Sequence, residues 1–315
     1  MSAPTAKTLF LLVLSMLAME SAGSIRSLYR HFLAGITSKS LNAFYYAYSY
    51  AKVDLSGFMN ATAKLALALV PDNLKSQPVF LCIDDTMVSK FGKKFEDISK
   101  LELAASMVRQ VMPEFRDKKN VIILCDSWYV KQNLVSIVDE YENLDLIGNA
   151  RSDSVIYDLP PASTGRKGRP PKHGRRLSIY EDFILSAEKI GDYFTGSRRV
   201  LTNIFGTRQV QAYVTAANKE NGTRRLFFST IFPAQLQIFC AWQEKSPLNR
   251  TGSDWMQYIP LLPYSFRWNI EVSYYEQKTF WSLCGYMVRS RKGIEMMVNL
   301  INISYCAMKL LPYYK

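Results

Sequence analysis

The sequence predicts an α/β fold, on two observations. Apolar runs of strand length alternate with segments of helical period between residues 79 and 149, and two of those runs stop abruptly at aspartate. Val79–Ile83 (VFLCI) is apolar throughout, as expected of a strand buried on both faces, and is followed by Asp84, Asp85 and Thr86. Residues 100–112 have helical spacing, and residues 120–125 (NVIILC) form a second apolar strand ending in Asp126. Residues 128–142 read as helix again and 144–149 (LDLIGN) as a third strand. This succession predicts a sheet that is at least partly parallel.

Upstream, residues 1–75 read as a separate helical region, whose two short central helices are a candidate DNA-binding element, ahead of a second domain over 76–315. Its apolar run at 8–19 follows Lys7 and precedes small residues, as in a secretory leader. The run is well short of the roughly 20 residues that a membrane span needs. A buried first helix is the expectation, with no membrane as partner. Residues 24–32 and 38–50 read as two helices about an Ala-Gly-Ile-Thr turn, with Ser38 as N-cap. That pattern reads first as an ordinary helical hairpin, with a helix-turn-helix as the alternative.

Downstream, residues 159–176 combine proline, glycine and basic residues and read as a linker. Strands are expected at 198–205, 209–216 and 223–231, with Asn221-Gly222 turning between the last two. Together they make a β-rich insertion, with the linker, at about 158–255. From Tyr264 the chain turns helical, with a last helix over about 292–311.

Composition narrows the chemistry. With 315 residues and 48% apolar content the chain is no disordered tail, and 39 Lys and Arg against 27 Asp and Glu leave a net charge of +12. Such an excess suits a polyanion, because each neutralised phosphate releases condensed counterions. Cys82, Cys125, Cys240, Cys284 and Cys306 are odd in number and lack any C-x-x-C pair, so they read as reduced core residues. Two histidines, His31 and His173, are too few for a zinc cluster or a histidine-based triad. Any metal must then be held by carboxylates, which selects hard cations such as Mg²⁺ or Mn²⁺.

Two strand-terminal carboxylates, Asp85 (or Asp84) and Asp126, lie where α/β sheets collect ligands. A strand-terminal Asp also serves as an N-cap, so Asp126 has a structural reading as well. In YSFRWNIEVSYYEQK, Tyr264, Arg267, Glu271 and Lys278 occupy relative positions 0, 3, 7 and 14. On a continuous α-helix these fall within roughly 60° of arc, presenting phenol, guanidinium, carboxylate and ammonium on one face. The plain alternative is a solvated face with an Arg267–Glu271 pair.

Those residues resemble the DDE transposases of bacterial insertion sequences, in the branch with a Tyr-x2-Arg-x3-Glu-x6-Lys signature. IDDT at residues 83–86 resembles the family's first-aspartate strand, where the Asp before Thr is the ligand, which selects Asp85. LCDSWY at residues 124–129 resembles the second, which selects Asp126. The resemblance spans about residues 79–311. It implies an RNase H-like catalytic core with a β-rich insertion and a small helical N-terminal region.

The resemblance further implies that Asp85, Asp126 and Glu271 are the catalytic, metal-holding carboxylates. Two Mg²⁺ ions about 3.5 to 4 Å apart would serve in-line displacement at phosphorus. Tyr264, Arg267 and Lys278 would contact DNA phosphates. Arg169, in a Gly-Arg-Pro sequence similar to an AT-hook core, is a further DNA contact. Trp242 and Trp255 are expected in the core, with base stacking as a second role. The implied partners are double-stranded DNA, as terminal inverted repeats and target, and a second copy in a synaptic homodimer. The implied location is the bacterial cytoplasm, at the nucleoid. An inactive, transposase-derived DNA-binding protein is the alternative, because the interval from Asp85 to Asp126 is short.

Overall fold

A computed structural model of the chain describes residues 1–19, 23–75, 77–85, 99–115, 120–162, 169–220, 222–232, 261–286 and 290–314. The elements begin with helices α1 (Ala3–Ala18), α2 (Ile25–Leu28), α3 (Leu41–Tyr50) and α4 (Leu55–Ala68). Strand β1 (Val79–Ile83), helix α5 (Lys100–Val111), strand β2 (Val121–Cys125), helix α6 (Gln132–Val135) and strand β3 (Leu144–Ala150) follow. Next come β4 (Ile156–Tyr157), β5 (Arg176–Leu177), β6 (Phe194–Val200), β7 (Val210–Ala216) and β8 (Arg224–Ser229). Helices α7 (Trp268–Trp281) and α8 (Arg291–Leu310) close the chain.

These elements make two compact units: a helical one from the described residues of 1–75 and 271–314, and a sheet unit from those between 77 and 270. The helical unit thus joins the described residues of 1–75 with the last helices of the chain. The reason is apolar matching. Met296, Met297, Leu300 and Ile301 of α8 share one buried cluster with Leu9, Leu12 and Met16 of α1 and Phe44 and Tyr48 of α3. The Tyr48 hydroxyl donates to the Gly293 carbonyl at 2.6 Å, so the polar tip of a buried ring is satisfied. Over Arg291–Tyr313 this helix is long and apolar enough to cross a membrane by length and composition; no other described helix passes that test.

The apolar run at 8–19 supplies the buried face of α1, where Leu9, Leu11, Leu12 and Met16 are enclosed, while Phe10 is exposed. The turn expected at residues 34–37 is displaced. After α2 the chain continues through a wide π turn, Tyr29–Leu33, and a helical Ala34–Ile36. The cap of α3 is Ser40 rather than Ser38: its hydroxyl accepts the Ala43 N–H.

In the sheet unit the six main strands lie in the order β1-β2-β3-β8-β7-β6. β1, β2 and β3 run parallel, and β8, β7 and β6 are antiparallel to their neighbours. The α/β class expected from sequence is therefore present as a mixed sheet. The three strands expected as a β-rich insertion extend the first sheet, because β8 pairs with the far edge of β3 over residues 147–150. Residues 128–142 are not one helix; α6 is a single turn followed by the 3₁₀ turn Ser136–Asp139. The 159–176 linker is pinned at its ends, where β4 pairs with β5 and Tyr157 stacks on His173 at 3.8 Å between ring centroids.

Candidate functional site

The register of β1 on β2 decides where the strand-terminal carboxylates lie. Ile83 is opposite Cys125, so Asp84 and Asp126 leave adjacent parallel strands side by side, about 4.8 Å apart in the sheet direction. Cys125 is in turn opposite Gly148, which puts Asn149 next in the same row. Side chains two residues apart share a sheet face. Phe80 and Cys82 of β1, Ile122 and Leu124 of β2 and Ile147 of β3 therefore point the same way, and they pack together with Ile231 and Tyr264.

That face is covered by the 3₁₀ turn Pro263–Arg267. Phe266 stacks on Phe80 with centroids 5.4 Å apart, and its carbonyl lies 3.6 Å from the Cys82 sulfur. Tyr264 meets Phe227 edge to face at 5.0 Å. Burial among these groups pushes the Tyr264 phenol up to about 12, so it stays un-ionised at any physiological pH. The Arg267 guanidinium lies 5.9 Å from the Tyr264 ring centroid and donates through Nη1 to Asp84 Oδ2 at 2.7 Å.

The two aspartates after β1 have different surroundings. Asp84, with 15% of its side chain exposed, is paired with Arg267 at 14%, and its Oδ1 accepts the Asp85 N–H at 2.9 Å. Asp85 is 40% exposed and paired with Lys100 from the start of α5. Lys100 also lies 5.5 Å over the ring of Trp128, an exposed residue two positions after Asp126. Asp126 bends its own turn: Oδ1 accepts the Trp128 N–H at 2.9 Å and the Tyr129 N–H at 3.4 Å. Asp126 thus caps a local turn rather than the next helix, whose N-cap is Lys131, and its carboxylate keeps further lone pairs.

The four signature residues do not share one continuous α-helix. Tyr264 and Arg267 lie in the 3₁₀ turn, where residues three apart eclipse, and this stacks the guanidinium near the phenol. Glu271 and Lys278 lie on α7, seven residues apart and so on one helical face, within the part of the chain that belongs to the helical unit. Lys278 is exposed and Glu271 half-buried. Arg169 is exposed in the segment joining β4 to β5, and its neighbour Gly168 lies outside the described residues. Trp242, Trp255 and Cys240 also lie outside them, as does Asn221 of the expected turn. Sequence reasoning missed the Asp84–Arg267 pair, the Lys100–Asp85 pair and the place of Asn149. Only the Asp-Asp doublet signalled the first two.

The donor chemistry at these strand ends fits a hard divalent cation. Burial raises the Cys125 thiol far above its usual range and Cys82 to about 11, so neither is a thiolate near neutrality. Among the described residues no three His, Cys, Asp and Glu side chains are grouped to hold one metal ion. A cation at these strand ends would need water or other oxygen ligands besides the carboxylates, as Mg²⁺ commonly takes. Comparison with protein-family models and with curated proteins gives no match.

Proposed function

We propose that the chain is a metal-dependent DNA strand transferase, a DDE transposase with an RNase H-like core acting at insertion-sequence ends. The observation that carries this reading is the seat of Tyr264 and Arg267 against the strands whose ends bear Asp84, Asp85 and Asp126. It joins residues from three distant stretches of sequence at the carboxyl ends of parallel strands, where ligands of such sheets gather. The net charge of +12 supports a nucleic-acid partner.

In this reading Asp85 and Asp126 hold Mg²⁺, or Mn²⁺ in its place, with Glu271 as the third carboxylate assigned by its motif. The bound metal would lower the pKa of an attacking water and stabilise a leaving 3′ oxygen. Arg267 binds phosphate through its planar fork, Tyr264 donates a hydrogen bond from an un-ionised phenol, and Lys278 supplies a point charge. Arg169 adds a contact to the DNA backbone. Two copies of the chain would bring two element ends together.

The test uses a supercoiled plasmid carrying the reading frame with its native flanking DNA. In Mg²⁺ the purified chain should create 3′-OH ends at inverted repeats bracketing the frame, and none in EDTA. A second reading, a DNA-binding relic, is favoured by one observation: both aspartates after β1 are already neutralised, by Arg267 and Lys100. DNA affinity without cleavage in either Mg²⁺ or Mn²⁺ would select the relic.

A further inference from the structure

We infer that the Asp84-Asp85 doublet divides its work: Asp84 is a positioning residue that aims Arg267, and Asp85 is the carboxylate left to meet a cation. This rests on the proposal that Arg267 contacts DNA phosphate. Each Asp84 oxygen already has a donor, Oδ2 the Arg267 guanidinium and Oδ1 the Asp85 N–H. A carboxylate held at both oxygens has one orientation, and the guanidinium bonded to it through Nη1 is thereby held in place.

Burial separates the two roles. With exposures of 14% and 15%, Arg267 and Asp84 are mostly withdrawn from water, where a guanidinium without a counter-charge is costly. Asp85 and Lys100, at 40% and 50%, form a surface pair of the kind that contributes little and exchanges readily for another cation. One residue type at adjacent positions thus meets two environments, because Asp84 turns toward Pro263–Arg267 and Asp85 toward α5.

The test measures binding of the full-length chain to a fluorescent DNA duplex in EDTA across a range of KCl concentrations. Arg267→Gln should weaken binding and reduce the salt slope by about one, the signature of one lost phosphate contact. Asp84→Ala should reduce the slope to the same extent, and the double variant should be no weaker than Arg267→Gln alone. Asp85→Asn should leave the slope unchanged. If Asp84→Ala fails to fold, the double variant removes both charges and should fold and match Arg267→Gln.

A folded Asp84→Ala protein with the original affinity and slope would overturn the positioning role, as would additive losses in the double variant. An unaffected Arg267→Gln protein would instead overturn the phosphate role of Arg267, and this inference with it.

Discussion

At the scale of single residues, environment rather than residue type assigns the roles. Tyr264 is the clearest case, because its ring is a packing element and its buried hydroxyl stays un-ionised. Its folded-state pKa of about 12 lies above the ordinary 10.0. A group shifted upward contributes stability that is complete below its unfolded pKa and is lost as pH rises through the folded one. The wild-type protein should therefore lose more stability between pH 10 and 12 than Tyr264→Phe, as read from Tm against pH. At neutral pH that variant keeps its ring contacts and folds, and its DNA affinity falls. Equal alkaline losses in both proteins would remove Tyr264 from the buried position described here.

At the scale of elements, the site depends on how closely the turn after β2 approaches β3. A Cβ at Gly148 would lie 2.5 Å from Val130 Cγ2 and 3.2 Å from Cys125 Sγ, so only glycine lets the turn capped by Asp126 close over the sheet. Gly148→Ala should cost about 1–3 kcal/mol by overpacking, measured by urea unfolding, and should lower activity by shifting Asp126. The three parallel strands were legible in the sequence because continuous apolar runs ending in aspartate have few other readings. The edge on which the later strands pair was not legible, since β6, β7 and β8 have the same alternation whether they form a new sheet or extend an old one. Local competition explains the other differences. Asp126 draws residues 128–130 into a turn by accepting their N–H groups, which delays α6, and Pro263 opens a tight 3₁₀ turn where periodicity alone suggests α-helix. The Asp84–Arg267 pair, 183 residues apart in the chain, leaves no periodic trace at all.

At the scale of the whole molecule, a helical unit built on α1 and α8 and a mixed-sheet unit carry the functional residues in separate stretches of one chain. Asp85 and Asp126 belong to the sheet unit, and Glu271 is the first residue of the carboxyl-terminal stretch assigned to the helical one. The overall positive charge predicts that DNA binding weakens steeply with salt whether or not the chain cleaves, and affinity alone therefore says little about catalysis. The most direct measurement is Mg²⁺-dependent cleavage of the flanking-repeat plasmid by Asp126→Asn, with wild type, Asp85→Asn and Glu271→Gln in parallel. Asparagine accepts the Trp128 and Tyr129 N–H groups as aspartate does, so the fold should survive while the charge is lost. The account predicts unchanged circular dichroism, retained DNA binding and loss of nearly all cleavage in each variant. Full cleavage by a folded Asp126→Asn protein would contradict it.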